Sequence, residues 1–271
     1  MTERIAFIGG GNMASAVIGG LIRQGTPAQM IDVVEPFAEA RAALQQQHGV
    51  LAQPQAGPFL ATAALVVWAV KPQMFRQAAA AVCPHTALTL HLSVAAGIRT
   101  DSIAQWLGSE RVVRAMPNTP ALIGRGMTAL FARSTVTAAD RARVDAVIAT
   151  TGELLWLAAE EQLDAVTALS GSGPAYMFYF MEAMRAAGVE MGLPAEQAYQ
   201  LAVATFIGAG ELARASSEPP EVLRQRVTSP GGTTHAALSV MAQTDIQGQF
   251  IRAMHAARSR ATEMGQEFGA A

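Results

Sequence analysis

Two glycine-rich turns in this 271-residue chain carry residue types that suit the binding of small anions. The first, Gly9-Gly10-Gly11-Asn12-Met13, follows a short apolar run and precedes a segment of helical periodicity. Gly9 permits a tight turn, Gly11 lets the backbone approach a pyrophosphate, and the small Ala14 allows the helix to pack closely on the strand. This spacing predicts a dinucleotide-binding turn at the start of a helix. A glycine-rich loop that serves only packing is the alternative.

The second turn, Ser229-Pro230-Gly231-Gly232-Thr233-Thr234, lies between two segments of helical periodicity. A loop of this kind that enters a helix leaves unpaired backbone N–H groups, expected here from Gly232 to Thr234. These groups and the helix dipole form a site suited to a carboxylate, and the Ser229 hydroxyl could add a donor. His235 adjoins the loop and is a candidate proton donor, although a histidine in the first turn of a helix more often packs or faces solvent.

An acidic residue stands where a dinucleotide-binding fold usually contacts the adenosine ribose. Glu35 follows the second apolar run and lies 21 residues after Ala14 (35 − 14 = 21), which is the offset at which an acid hydrogen-bonds the ribose 2′-hydroxyl. A carboxylate there repels a 2′-phosphate and favours NAD over NADP. Arg41, six residues on, could still clasp a phosphate, and a solvated loop acid is the alternative for Glu35, so the cofactor is NADP or NAD.

Three further loops follow apolar runs and carry unusual residues. They are Ala69-Val70-Lys71-Pro72, Ser93-Val94-Ala95-Ala96-Gly97 and Met116-Pro117-Asn118-Thr119-Pro120. Lys71 could reach a ribose or a phosphate, the small Ala95 and Ala96 suit a flat ring, and Asn118 could donate to a carboxamide in a rigid turn that could include a cis bond. Each loop alone also suits a plain strand-to-helix connection. Because ligands bind at the carboxyl ends of parallel strands, the three together predict a nicotinamide pocket.

The first half of the chain alternates strand-like and helix-like segments. Near-continuous apolar runs occur at residues 4–8, 30–34, 64–70, 88–93, 111–115 and 127–131, as expected of strands buried on both faces. The segments between them carry apolar residues at helical spacing. This alternation predicts an α/β domain of the Rossmann type with a parallel, doubly wound sheet, over residues 1–159.

From residue 160 to residue 271 the pattern predicts helices alone. They cover residues 163–169, 175–191, 194–215, 221–227, 233–242 and 246–264. Several are apolar on more than one face, and a domain of this size cannot easily bury that surface by itself. We therefore expect an all-α dimerisation and substrate domain in a homodimer, with a self-contained bundle on the sheet domain as the alternative.

Composition excludes several classes of protein. The residues are 51% hydrophobic and 15% charged, with a net charge of −2, which argues against disorder and against broad nucleic-acid binding. The single cysteine, Cys83, cannot form an internal disulfide, and no pattern of metal ligands is evident. No apolar run approaches the ~20 residues that span a bilayer, and no targeting segment is recognisable, so we expect a cytoplasmic protein without a membrane partner.

Two later motifs make a resemblance specific. Ser170-Gly171-Ser172-Gly173-Pro174-Ala175-Tyr176 opens a long helix, and Thr228 to His235 links two others. With the N-terminal turn, the Lys71 loop and the Asn118 loop, this set resembles the pyrroline-5-carboxylate reductase family from residue 5 to about residue 263. The stretch around Pro230 and Gly231 is close to diagnostic.

The resemblance implies a fold, a reaction and site residues. It implies a Rossmann domain, a helical dimerisation domain with active sites shared between subunits, and commonly a decamer of five dimers. The reaction is hydride delivery from NADPH or NADH to the C=N carbon of 1-pyrroline-5-carboxylate. Thr234 matches the threonine that hydrogen-bonds the imine nitrogen, where orientation or proton relay is its expected role. Glu160 matches a residue near the substrate, with an exposed helix acid as the alternative.

Two rival functions fit parts of the pattern. A β-hydroxyacid dehydrogenase shares the two-domain plan but relies on a lysine in the helical domain, and residues 160–271 contain no lysine. A non-catalytic nucleotide sensor or pyridoxal-phosphate-binding regulator would not need the turn from Ser229 to Thr234. Both rivals are therefore weaker than the reductase interpretation.

Overall fold

The computed structural model describes residues 3–269, so the first two and last two residues of the predicted domains lie outside the described residues. Within that range the strands β1–β8 are Arg4–Ile8, Ile31–Val34, Ala52–Gln53, Ala63–Trp68, Leu90–Ser93, Val112–Met116, Gly126–Ala132 and Gly152–Trp156. The helices α1–α11 are Asn12–Arg23, Ala38–His48, Phe75–Val82, Thr100–Leu107, Ala138–Ile148, Gln162–Val166, Gly173–Glu190, Ala195–Ala215, Pro220–Arg226, Thr233–Gln243 and Ile246–Gly269.

The strands form one sheet in the order β3-β2-β1-β4-β5-β6-β7-β8. The neighbours from β3 to β6 are parallel, which confirms the Rossmann-type sheet and brings the carboxyl ends of β1, β2, β4, β5 and β6 to one edge. The prediction of a wholly parallel sheet is wrong at one pair, because β7 runs antiparallel to β6. Two strands that sequence analysis did not predict, β3 and β8, lie at the two edges.

The sheet is covered by apolar clusters on both faces, as the continuous apolar runs predicted. One cluster contains Phe7, Val17 and Leu92, and the other contains Trp68, Phe75 and Ile98. Alternate residues of a strand therefore pack on opposite sides of the sheet. This core fixes the strand ends, from which the loops of the candidate site extend.

A buried histidine that contacts Trp68 of the second cluster is expected to make the fold sensitive to acid. His91 Nδ1 accepts a hydrogen bond from Trp68 Nε1 at 3.2 Å. Burial lowers the pKa of His91 from 6.5 to about 4, against a hydrogen bond with the Thr86 backbone that raises it. The folded protein thus holds a neutral ring where the unfolded chain binds a proton below pH 6.5.

We predict that the free energy of unfolding falls as the pH drops from about 6.5 towards 4. The sign follows because only the unfolded state gains a proton in this range, and the full loss is about 3 kcal/mol. The free energy of unfolding, measured with urea, should be lower at pH 5 than at pH 7 by most of this amount. In His91→Gln the difference between the two pH values should shrink, because the variant has no imidazole to protonate. An undiminished loss in His91→Gln would contradict the assignment.

The described chain divides by internal packing into two units. The sheet unit comprises residues 3–172 and 257–269, and the helical unit comprises Gly173–Ala256. The predicted boundary at residue 160 therefore differs from this division, since α6 and the last part of α11 pack with the sheet unit. Between residues 3 and 269, none of the helices combines the length and the apolar character required to cross a bilayer.

The helical unit buries little of its apolar surface within the chain. Among its hydrophobic residues described, only Ala198 and Ala202 are fully buried. Large apolar side chains on α7 and α8 are more than half exposed, including Tyr179, Ile207 and Leu212. An exposed apolar surface of this extent is typical of a protein–protein interface.

Candidate active site

The first glycine-rich turn has the geometry that phosphate binding requires. Gly9 has a φ of +96°, and a Cβ added there would lie 2.6 Å from the carbonyl oxygen of Ala69, so only glycine fits. Gly11 is the N-cap of α1, and a Cβ added there would meet no atom within 4 Å. Open space therefore lies over the backbone at the point where a pyrophosphate would approach.

The start of α1 offers its own amides to a ligand. The helix begins with Asn12 and Met13, and it has neither a side-chain cap nor an acidic residue in its first turn. Its free N–H groups and its dipole favour an anion at this point. The cradle over Gly11 and these amides fit the pyrophosphate of a dinucleotide.

Glu35 is part of the turn rather than a solvated loop acid. It is 6% exposed; its Oε2 accepts a hydrogen bond from the Gly10 N–H at 2.7 Å, and its Oε1 accepts one from the Phe37 N–H at 2.8 Å. Arg41 Nη1 donates to the carbonyl oxygens of Glu35 and Pro36 at 3.0 and 2.7 Å. The carboxylate is thus fixed at the end of β2, beside the phosphate turn.

Two further loops lie at the same edge of the sheet, because β4 and β5 are parallel neighbours. Strand β4 ends at Trp68, two residues before the predicted end, so Ala69 and Val70 belong to the loop. Lys71, which is exposed, precedes Pro72 and is the only lysine of the chain. After β5, Ala95 is buried and Ala96 is half-buried.

Both polar atoms of the Asn118 side-chain amide form hydrogen bonds within the protein. Its Oδ1 accepts a hydrogen bond from the Met127 N–H at 2.9 Å, and its Nδ2 donates to the carbonyl oxygen of Ser170 at 3.2 Å. No cis peptide bond occurs within residues 3–269, so trans bonds form this turn. One hydrogen of Nδ2 has no role in these two bonds and can serve a ligand.

The Ser170-Gly171-Ser172 motif forms a widened turn at the end of the sheet unit. Residues Thr167–Gly171 form a turn of π-helix, in which the Ser172 N–H donates to the carbonyl oxygen of Thr167 at 2.8 Å. A Cβ added at Gly171 would meet the end of the flexible Met116 side chain, so this turn lies close to the end of β6. Such π-turns are frequent at functional sites.

Glu160 is buried in the sheet unit, so the alternative of an exposed helix acid is wrong. It is 9% exposed and forms an ion pair with Arg114, with 2.9 Å between Oε1 and Nη1. It also accepts hydrogen bonds from the N–H and the hydroxyl of Thr100 at 2.8 and 2.6 Å. Neither Arg114 nor Thr100 was predicted from the sequence, although an arginine inside an apolar strand is an unusual residue that could have been noticed.

In the helical unit, the second turn exposes the start of α10. Gly231 has a φ of +72°, and Gly232 is the N-cap of the helix, with no side-chain cap and no acid in the first turn. The Gly232 N–H donates to the carbonyl oxygen of Ser229 at 3.0 Å, so this amide, expected to be free, is already paired. Within the described chain, the amides of Thr233 and Thr234 have no backbone acceptor.

The side chains of this turn differ in exposure. Ser229, Thr233 and His235 are exposed, whereas Thr234 is half-buried. The turn therefore presents two free amides and three hydroxyls, which can bind a carboxylate and one further polar atom.

Other chemistry has little support among the described residues. No group of three or more metal-ligating side chains occurs between residues 3 and 269. Burial raises the pKa of the Cys83 thiol, which donates to the carbonyl oxygen of Trp106 at 3.3 Å, so Cys83 is a poor nucleophile.

Two family models match consecutive parts of the chain. Residues 4–97 match an NADP oxidoreductase family described as coenzyme F420-dependent. Residues 160–264 match the pyrroline-5-carboxylate reductase dimerisation family. The first match contains the proposed nucleotide turn, and the second contains the turn before α10.

Relatives match over nearly the full length. A pyrroline-5-carboxylate reductase of Pseudomonas aeruginosa is 43% identical over 99% of both chains, and one of Haemophilus influenzae is 40% identical over 96% of this chain and 97% of its own. The solved pyrroline-5-carboxylate reductase of Coxiella burnetii has a TM-score of 0.91 at 37% identity, covering 97% of this chain and 99% of its own. With identity this high over the whole length, the chain belongs to the pyrroline-5-carboxylate reductase family.

Proposed function

We propose that this protein reduces 1-pyrroline-5-carboxylate to L-proline with NADPH or NADH, the final step of proline biosynthesis. The observation that carries this proposal is the start of α10, where Thr233 and Thr234 offer free amides beside the Ser229 hydroxyl. The substrate is an anion with one electrophilic C=N bond, and the free amides of this turn match its charge.

The substrate carboxylate binds at the Ser229–Thr234 turn. The amides of Thr233 and Thr234 donate to its oxygens, and the Ser229 hydroxyl adds a third donor. Gly231 and Gly232 leave the backbone uncovered, so the carboxylate can approach closely. Charge-assisted bonds to an anion are stronger than neutral ones, so this contact orients the ring.

Thr234 acts on the imine nitrogen. Its hydroxyl hydrogen-bonds this atom, which must carry a proton by the time the C–H bond has formed. A hydroxyl is a poor acid, so Thr234 orients the nitrogen or relays a proton from water rather than acting as the sole acid. This role would explain why the side chain is half-buried while Ser229 and Thr233 are exposed.

The nucleotide binds at the carboxyl edge of the sheet. Its pyrophosphate would be held by the first glycine-rich turn, which consists of Gly9, Gly10, Gly11, Asn12 and Met13. The rest of the nucleotide would be held by the Ala69-Val70-Lys71-Pro72 loop, Ala95, Ala96 and Asn118. When bound, the reduced nicotinamide supplies the hydride that the imine carbon accepts. The chain itself contributes chiefly positioning, which can account for roughly 7–11 kcal/mol of a reaction barrier at best.

The proposed function includes self-association of the protein. The exposed apolar surface of α7 and α8 and the match to a dimerisation family support a homodimer. We extend this to a pentamer of dimers with shared active sites, in the cytoplasm. The partners are then the small-molecule substrate and further copies of this chain.

Glu35 is expected to permit NADH as the reductant. Its carboxylate is held by the Gly10 and Phe37 amides and cannot turn away from a 2′-phosphate. Like charges brought together at a binding site cost affinity. We predict that steady-state reduction of 1-pyrroline-5-carboxylate proceeds with NADH at an efficiency within about tenfold of, or above, that with NADPH.

The matched variant is Glu35→Gln, which removes the charge and keeps one acceptor for the loop amides. Its ratio of kcat/KM for NADPH to kcat/KM for NADH should rise roughly tenfold. A strong preference of the unmodified protein for NADPH would defeat the argument from Glu35. If neither nucleotide supports reduction of the imine, the proposed function itself fails.

A further inference from the structure

A buried carboxylate that the proposed chemistry does not use is directed at the start of helix α4. Glu160 Oε1 accepts from both Arg114 Nη1 and the Thr100 N–H, and Oε2 accepts from the Thr100 hydroxyl. Arg114 is only 3% exposed, so the pair is shielded from water. With three hydrogen bonds, little of the carboxylate's capacity remains for a substrate.

These bonds replace a local helix cap. Thr100 is the first residue of α4, and its N-cap, Arg99, has no side chain that can accept a hydrogen bond. Glu160 satisfies the first amide of α4 from 60 residues away. The position of this helix start therefore depends on a residue at the entrance to α6.

The loop of residues 94–99 lies between β5 and the helix start that Glu160 holds. At its other end, the Val94 N–H donates to the carbonyl oxygen of Trp68 at 3.0 Å, and the Ala95 N–H donates to Ser93 Oγ at 3.3 Å. The loop is thus fixed at both ends. Trp68 and Ser93 hold the end of the loop next to β5, and Glu160 holds the end next to α4.

A second contact supports the same loop from α11. Gly97 has a φ of +78°, and a Cβ added there would lie 3.1 Å from Met264 Cβ. Arg99 pairs with Asp164 at 2.9 Å, and Asp164 also accepts from the Thr262 hydroxyl at 2.9 Å. The segments that lead into and out of the helical unit therefore hold the loop.

We propose that Glu160 is a positioning residue for the nicotinamide end of the cofactor, acting through Thr100 on the loop of residues 94–99. The proposal rests on the proposed function, which places Ala95 and Ala96 against the nucleotide. Replacing the carboxylate with an amide leaves one neutral acceptor oxygen for the three donors of Thr100 and Arg114, so the loop shifts. A displacement of about 1 Å at a reacting centre can cost up to roughly 100-fold in rate.

The test compares Glu160→Gln with the unmodified protein by titrating NADH and NADPH against tryptophan fluorescence. We expect the Kd of the nucleotide to rise roughly tenfold and kcat to fall by a similar factor, while KM for 1-pyrroline-5-carboxylate changes less than about twofold. Thr100→Val removes the hydroxyl bond and keeps the ion pair. It should raise the nucleotide Kd roughly threefold. If Glu160→Gln does not fold, the nucleotide Kd of Thr100→Val is the measurement that tests the proposal.

Asp140→Asn is the matched control. Asp140 is also a buried carboxylate that pairs with an arginine, Arg111 at 2.7 Å, and completes a capping box at the start of α5. Arg111 precedes β6, at the opposite end of that strand from the Asn118 loop. Asp140→Asn should lower Tm and leave the nucleotide Kd unchanged.

Two results would overturn the proposal. Glu160→Gln could lower Tm as Asp140→Asn does without changing the nucleotide Kd, which would make the ion pair merely structural. It could instead raise only KM for 1-pyrroline-5-carboxylate, which would make Glu160 a substrate contact. An unmodified protein that binds nucleotide without reducing the imine would refute the proposed function, yet the titrations would still decide the role of Glu160.

Discussion

Replacing Thr234 with alanine should lower kcat for the reduction of 1-pyrroline-5-carboxylate by about 10- to 100-fold. The variant keeps the backbone amides that bind the carboxylate and loses only the hydroxyl that orients the imine nitrogen. Removing one positioned donor that acts in a transition state typically has effects of this order or larger. Steady-state kinetics with saturating nucleotide measures the loss directly.

Thr234→Ser is the conservative variant, since it keeps a hydroxyl at the same position and should recover most of the activity. Nucleotide binding should be unchanged in both variants. Lys71 offers an independent measurement of nucleotide binding, because it is the only lysine of the chain. Bound nucleotide should protect Lys71 from an amine-specific acylating reagent to the same extent in the variants as in the unmodified protein. Peptide mass mapping measures this protection. Full activity in Thr234→Ala, or loss of Lys71 protection in that variant, would contradict the role assigned to the hydroxyl.

Replacing Ile207 with glutamate should dissociate the assembly and abolish most activity. Ile207 is 60% exposed on α8, in a unit where only Ala198 and Ala202 are fully buried among the described hydrophobic residues. An unpaired carboxylate buried against a partner costs several kcal/mol. The dimer Kd should therefore rise more than about 100-fold, because every 1.4 kcal/mol is a factor of ten.

Leu88→Glu is the control for this substitution, because Leu88 is an apolar residue of the sheet unit that is 88% exposed. Its mass in sedimentation velocity and its activity should match those of the unmodified protein. If Ile207→Glu keeps the assembly and the activity, α8 does not bury Ile207 in the interface and the account of this surface is wrong.

The strands buried on both faces could be predicted from sequence, whereas the edges of the sheet could not. Strand β8 alternates half-buried and exposed residues and contains Glu153, so it lacks a continuous apolar run. Strand β3 has only two residues. The direction of β7 was predictable in principle, because residues 117–125 are fewer than the dozen or so that a parallel crossover needs.

The two glycine-rich turns could be located from sequence because each turn is local. The partners of the buried acids could not, because Glu35 bonds Gly10 across 25 positions and Glu160 bonds Arg114 across 46. Sequence spacing predicted that Glu35 contacts a ligand, and the family resemblance implied the same of Glu160, while the bonds of both acids within the fold depend on how the chain packs. The pairing of the Gly232 amide with Ser229 likewise depends on the tightness of the turn.

The central claim is that the Ser229–Thr234 turn holds a cyclic imine that accepts a hydride from a reduced nicotinamide. The most direct measurement incubates the protein with 1-pyrroline-5-carboxylate and NADH or NADPH that carries deuterium at both C4 positions, and analyses the product by mass spectrometry and NMR. The account predicts L-proline with one deuterium at the former imine carbon, in equal amount to the nucleotide oxidised. Oxidised nucleotide without labelled proline, or no oxidation despite nucleotide binding, would contradict it.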